Sequence, residues 1–191
     1  NRGGGTCYSL DVLDDIARVA KDNNCKSHID GARIFNASVS SSLSTQRMAR
    51  EYDTISVCLS KGLGAPVGSV LVGSSETLYK AHRWRKMFGG GMRQAGVLAA
   101  AGIYALDNNV DRLSKDHLRA RKIAEAVNSM DSYSVDLKQV QTNMVYVGCE
   151  EGESENLVKR LENNGIQTLT INDSTIRIVT HLHITDDDVR K

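Results

Sequence analysis

Apolar residues recur at Leu10, Val12, Leu13, Ile16, Ala17, Val19 and Ala20, which predicts a helix over residues 10–24. Residues 27–30 and 53–59 read as short strands, the second rich in β-branched side chains. A third strand, 68–73, is bounded by glycines, and Ser74 or Ser75 can cap the helix after it, with Glu76 in its first turn. Residues 93–106 are alanine-rich and apolar on nearly every face, which predicts a buried helix. A more polar helix follows, from about 110 to 128. Beyond it the pattern predicts a strand at 142–147, a helix at 154–163 and strands at 166–170 and 175–179. A last helix starts at Thr185, with Asp186, Asp187 and Asp188 in the first turn, where the helix dipole favours acids. Helices alternating with strands predict an α/β sheet, and the change in character places a domain boundary near residues 129–133.

Composition narrows the field. The chain has 191 residues, 40% of them hydrophobic, enough to bury a core. Its 24 basic and 23 acidic residues leave a net charge of +1, so there is no electrostatic case for a nucleic-acid or membrane partner. No apolar run approaches a membrane span, and no stretch of these residues reads as a signal peptide. The opening Asn1-Arg2-Gly3-Gly4-Gly5 lacks a methionine, which raises the expectation of a fragment of a longer protein. Cys7, Cys25, Cys58 and Cys149 carry no metal-ligand spacing and read as reduced thiols of a cytosolic-type protein, Cys58 in the core.

The candidate chemistry lies at the strand ends. Asp30 closes the first strand, Arg33 follows three residues later, and Lys61 follows the second strand within Ser60-Lys61-Gly62-Leu63-Gly64. A pyridoxal phosphate (PLP) enzyme needs this order: a lysine for the Schiff base, an acid for the pyridinium nitrogen, an arginine for an amino-acid carboxylate. Each residue also has a plainer reading, as a turn cap, an exposed lysine or an ion-pair partner. Gly62 and Gly64 allow close backbone approach beside Lys61, Ser60 offers a hydroxyl to a phosphate, and a partly dry pocket would make the lysine a nucleophile. Strand ends are where α/β sheets bind ligands.

Further on, Arg83-Trp84-Arg85-Lys86-Met87-Phe88-Gly89-Gly90-Gly91-Met92-Arg93 carries three consecutive glycines. These suggest a flexible turn or an anion-binding backbone nest, with Lys86 and Arg93 in reach of a phosphate. Arg177 lies between apolar residues on a strand and needs a partner, either a substrate carboxylate or a salt bridge. His181 and His183 read as a strand end with one ring packed and one solvated. Neither they nor Asp186–Asp188 is read as a metal site.

The runs His28-Ile29-Asp30-Gly31-Ala32-Arg33-Ile34-Phe35-Asn36 and Cys58-Leu59-Ser60-Lys61-Gly62-Leu63-Gly64-Ala65-Pro66-Val67-Gly68-Ser69 resemble the pyridinium and Schiff-base segments of low-specificity threonine aldolases. Lys86 to Gln94 and Val179-Thr180-His181-Leu182 are similar to that family too. The resemblance implies part of a fold-type-I PLP-dependent transferase large domain, residues 1–130, followed by a small α+β C-terminal domain, residues 131–191. It implies retro-aldol cleavage of L-threonine or L-allo-threonine to glycine and acetaldehyde in a full-length parent, a step of threonine catabolism and glycine formation. Another PLP-dependent β-eliminating lyase, or a non-catalytic truncated fragment, is the alternative. The resemblance assigns the covalent link to PLP to Lys61, the ring nitrogen to Asp30, the cofactor's surroundings to Lys86 and Arg93, and the substrate carboxylate to Arg33 and Arg177; Ser60 joins the cofactor-binding residues through its hydroxyl beside the lysine. It implies a cytoplasmic homo-oligomer, dimer or tetramer, with shared sites. It also implies a further N-terminal portion of well over a hundred residues that this sequence does not supply.

Overall fold

Ser9 starts the first helix by accepting the Val12 N–H on its hydroxyl, and α1 runs over Leu10–Asp22 in the computed structural model, which describes residues 4–191. Asn1, Arg2 and Gly3, on which the fragment expectation partly rests, lie outside the described residues. The helix stops two residues short of the expected Asn24. Asn24 adopts φ +53°, its N–H donates to Lys21 O (3.0 Å), and Cys25 N–H donates to Ala20 O (2.8 Å). This 6→1 and 5→2 pair of bonds satisfies the last helical carbonyls and ends the helix.

The chain divides into two compact units: Tyr8–Asp111, and Arg112–Lys191 together with the described residues up to Cys7. In the N-terminal unit, β1 (His28–Asp30) pairs in parallel with β2 (Thr54–Cys58), in the register His28↔Thr54, Ile29↔Ile55, Asp30↔Ser56. Parallel neighbours need a crossover. Here α2 (Ile34–Ser41) and α3 (Thr45–Ala49) supply it. Strand β3 (Ser69–Gly73) pairs antiparallel with β2, giving the order β1-β2-β3. Ile34, Met48 and Ile55 form the buried core, with Leu13, Ile29, Phe35 and Leu43 against it. Arg47 grips Asp14 with both guanidinium ends, and Tyr52 OH donates to Leu13 O (2.8 Å), so α1 is stapled to α3.

Helix α4 (Ser75–Met87) is capped by Ser74, whose hydroxyl accepts the Thr77 N–H, and Glu76 sits in its first turn as expected. Helix α5 (Gly96–Asn109) differs from expectation. It buries only Gly102 and Ala105, and Val97 is 73% exposed, with Ile103 and Tyr104 also open. Gly102 meets Leu59, but no described element covers the opposite side. Cys58, expected in the core, is half-buried and accepts the Ser69 hydroxyl (3.4 Å). None of the four cysteines is in a disulfide.

The C-terminal unit contains α6 (Leu113–Asn128), β4 (Met144–Gly148), α7 (Ser154–Asn163), β5 (Leu169–Asn172), β6 (Thr175–Val179) and α8 (Asp186–Arg190). Its sheet has the order β4-β6-β5, antiparallel throughout. Ala120, Ala124, Val135, Val145, Val147, Leu157 and Ile176 form its core. The N-terminal residues join this unit: Thr142 Oγ1 donates to Gly5 O (2.7 Å), and Cys7 N–H donates to Gln141 Oε1 (2.7 Å). Strand β5 begins at Leu169 rather than 166, because Ile166 N–H is engaged by Leu161 O (2.9 Å) in the cap of α7. Thr185 and Asp188 close a reciprocal capping box at α8.

Candidate active site

The end of β1 is shaped by Gly31. A Cβ there would lie 2.8 Å from both Ile55 Cδ1 and Ser56 O, so only glycine lets the chain pass this close to β2. Asp30 stands immediately before it. Its Oδ1 accepts the Ala32 N–H (3.1 Å), which turns the backbone toward α2, and its carboxylate is exposed. Arg33 is the N-cap residue of α2 and is half-buried.

Strand β2 runs parallel to β1, so both strands finish at the same edge of the sheet. Past that edge, residues 59–68 form a braced loop. Leu59 N–H donates to Gly68 O (3.0 Å), Ala65 N–H to Leu59 O (3.0 Å) and Gly64 N–H to Lys61 O (2.9 Å). Leu63 is buried, and its carbonyl accepts Asn109 Nδ2 (2.7 Å). The backbone around Lys61 is therefore held while the side chains of Ser60 and Lys61 are exposed. The partly dry pocket expected around Lys61 is not formed by residues 4–191. The topology does bring Asp30, Arg33, Ser60 and Lys61 to the carboxyl ends of two adjacent parallel strands, the ligand-binding edge of open α/β sheets.

Lys86 lies in the last turn of α4, which packs on β3, the edge strand away from β1. The glycines after it are not an anion nest. Gly89, at φ +82°, donates its N–H to Lys86 O (3.2 Å), and Gly90 donates to Arg85 O (2.8 Å). Those two N–H groups close the helix C-terminus. Arg93 follows in the exposed loop before α5.

Arg177 sits in mid-β6, opposite Tyr146 on β4 and Leu169 on β5. Its Nε is buried and has no hydrogen-bond partner among the described atoms. A buried donor without an acceptor costs about 1–3 kcal/mol, which an incoming carboxylate would relieve. His181 and His183 are both exposed, contrary to the expectation of one packed ring, and meet edge-to-face at 5.7 Å.

Sequence reasoning missed the polar hub beside them. Asp116 is fully buried, and its Oδ1 accepts Arg112 Nη2. Its backbone carbonyl accepts the Thr180 hydroxyl (2.7 Å). Thr180 N–H donates to Asn143 O (3.0 Å) and Asn143 Nδ2 donates back to Thr180 O (2.7 Å), which extends the β4–β6 ladder by one pair. Arginines at i−4 and i+3 of Asp116 were the available signal, since that spacing shares a helix face.

At this one sheet edge, an acid beside Gly31 and a braced, reachable lysine fit what PLP needs. The sequence model of the beta-eliminating lyase family matches residues 1–150. The chain is 46% identical over 189 residues to low-specificity L-threonine aldolase 1 of Arabidopsis thaliana, covering 97% of this chain and 53% of that relative. It is 42% identical over 190 residues to the low specificity L-threonine aldolase of Escherichia coli strain K12, covering 99% of this chain and 55% of the relative. The solved structure of Leishmania major threonine aldolase superposes with a TM-score of 0.75 at 20% identity, over 95% of this chain and 54% of that one. The architecture is thus the fold-type-I α/β one, and the chain spans about half the length of the curated relatives it matches. On the match across residues 1–150, the chain belongs to the beta-eliminating lyase family.

Proposed function

We propose that the protein carrying this chain cleaves L-threonine or L-allo-threonine to glycine and acetaldehyde with PLP, serving threonine catabolism and glycine formation. The observation that carries the reading is the 46% identity to an enzyme named low-specificity L-threonine aldolase, which extends through the Asp30 and Lys61 segments. Bound at this edge, PLP supplies a sink for the electron pair left when a bond to the substrate Cα breaks. Lys61 holds the cofactor covalently, and the braced loop keeps its amine at the sheet edge. Asp30 keeps a proton on the ring nitrogen by charge pairing, which strengthens the sink. Ser60, Lys86 and Arg93 surround the cofactor. Arg33 and Arg177 take the substrate carboxylate, for which a planar fork is suited.

The working form in this reading is a cytoplasmic homo-oligomer, dimer or tetramer, with shared sites. The division into a large domain (1–130) and a small domain (131–191) describes the intact subunit, whereas the compact units within this chain meet at Asp111/Arg112. Among the described residues no helix is long and apolar enough to cross a membrane.

The family name favours one second reading, β-elimination from an amino acid. The test is product analysis with PLP and L-threonine. Acetaldehyde with glycine supports the aldolase, while ammonia with a keto acid supports the eliminase. A chain that forms no imine absorbance band with PLP is a non-catalytic fragment.

A further inference from the structure

Arg177 is shielded without being satisfied. Its Nε is buried, and no described atom accepts its proton. Val145, Val147 and Ile176 point to the side of the C-terminal sheet filled by Ala120 and Ala124 of α6 and Leu157 of α7. Side chains alternate along a strand, so Tyr146 and Arg177 share the opposite face. Gly5 lies against Met144 at one end of that face, and Gly148 brings no side chain to the other. Leu169, the β5 partner of Arg177, is 56% exposed. Among the strand neighbours of Arg177 on this face, Tyr146 carries the largest side chain, and it is half-buried.

The hydrogen bonds of the β4–β6 ladder set how close these two side chains come. Thr180 N–H donates to Asn143 O (3.0 Å) at one end, and Cys149 N–H donates to Ser174 O (2.9 Å) at the other. Antiparallel pairs alternate between hydrogen-bonded and non-hydrogen-bonded. The register runs unbroken from Met144↔Val179 to Gly148↔Thr175, so Tyr146↔Arg177 lies three pairs from each of those bonds. It is therefore a non-hydrogen-bonded pair, in which Cα atoms stand about 4.5 Å apart and side chains meet most closely. At that spacing an aromatic face and a guanidinium plane can stack. The N–H groups of a guanidinium point outward in its plane. A ring lying on the plane dries the fork and takes up none of its donors, which is the condition of the Arg177 Nε.

We propose that Tyr146 is a positioning residue: its ring stacks on the Arg177 guanidinium and holds the fork flat, dry and open-edged for a substrate carboxylate. The inference rests on the carboxylate role given to Arg177 in the proposed function, and adds the residue that orients it. A fork already fixed in place loses less freedom on binding than a long side chain moving in water. A charge-assisted hydrogen bond is also stronger where water is excluded. The flat ring does this work, and the phenol hydroxyl has no part in it. Phenylalanine can therefore stand in for Tyr146, whereas leucine supplies apolar bulk without a plane.

The test follows the Arg177 Nε–H proton of the 191-residue chain by NMR. In the wild-type chain, cross-relaxation between this proton and the Tyr146 ring protons is expected, together with slow exchange to water. Tyr146→Phe should keep the slow exchange, and Tyr146→Leu should speed it about tenfold or more. Glycine, the smallest amino-acid carboxylate, should shift the same proton on titration. Tyr146→Leu should weaken glycine binding about tenfold, the order of one partly desolvated cation–π contact, and Tyr146→Phe should not. Absence of the wild-type cross-relaxation overturns the stack, whatever the variants do. The positioning role is overturned if Tyr146→Leu matches the wild type in glycine affinity, or if Tyr146→Phe behaves like Tyr146→Leu. A stacked Arg177 whose signal ignores glycine overturns the proposal through the carboxylate reading instead, so the two failures are told apart.

Discussion

The Thr180 hydroxyl donates to the Asp116 carbonyl across 2.7 Å, and both residues are fully buried. That bond joins the end of β6 to α6, three residues after Arg177. A one-residue slip of β6 would turn Arg177 to the other face of the sheet. The Asn143–Thr180 pair and the bond to Asp116 fix the register at this end. Thr180→Val should lower stability by about 0.5–1.5 kcal/mol, the net worth of one hydrogen bond, because the Asp116 carbonyl keeps its donor within α6. Asp116→Ala should cost about 3–5 kcal/mol, because the charge of Arg112 loses its buried counter-charge. Urea unfolding measures both. An exposed pair such as Arg190–Asp187 gives the baseline, with Arg190→Ala changing stability by less than about 1 kcal/mol.

Gly31→Ala places a methyl group 2.8 Å from Ser56 O, and a backbone carbonyl cannot swing aside like a flexible side chain. The strands must separate. A loss of about 1–3 kcal/mol is expected, with amide chemical-shift changes concentrated in β1 and β2. A neutral Gly31→Ala would mean that the end of β1 is looser than drawn.

Lys61→Ala should remove the imine absorbance formed with PLP and leave the urea midpoint unchanged. The two readouts separate because Lys61 is exposed and its loop is braced by backbone bonds and by Leu63. A persisting imine band in this variant would move the covalent link to another lysine.

Acid should act in two stages. Burial holds the His117 imidazole below its ordinary pKa of 6.5, partly opposed by Asp116. The unfolded chain then binds this proton first, so stability falls as pH drops below about 6.5 and levels off below the folded-state pKa. Asp14, Asp53, Asp186 and Asp188 are held below the usual carboxylate value, chiefly by hydrogen bonds from Arg47, Lys26, Arg119 and Thr185 respectively. Their contribution is fully present above about pH 4 and is lost as pH falls through their lowered values. Urea midpoints across pH 3–8 should show both declines, and His117→Gln should remove only the upper one.

Elements whose signal is local were legible in the sequence. The α7 helix, β6 and the acidic first turn of α8 stand where their patterns put them, because caps and alternation act over a few residues. The placement of Asp30 and Lys61 at one sheet edge also followed from pattern, since parallel pairing makes both strands end together. Burial was less legible. Residues 93–106 read as a core helix, yet apolar composition states what a helix would bury, not whether a cover is at hand. The Gly89–Gly91 run left a turn and an anion nest both open, and the structure has the turn: glycine at φ > 0 serves a helix terminus as readily as an anion, and the choice depends on which carbonyls lie near. The Asp116 hub draws on residues 64 positions apart, which no local window contains.

The bond from Thr142 to Gly5 spans 137 positions. The N-terminal unit is therefore an insertion within the C-terminal one, and the residues up to Cys7 emerge first but find their partners last. At about 5–20 residues per second, roughly 7 to 27 seconds separate the emergence of Gly5 from that of its partner. Tyr8–Asp111 can fold in that interval, while the leading residues wait without the surface they belong to. A ribosome-stalled chain cut off before Thr142 should be cleaved faster at Gly5 and should react faster with thiol reagents at Cys7 than the full chain, in which Gly5 is buried and Cys7 half-buried.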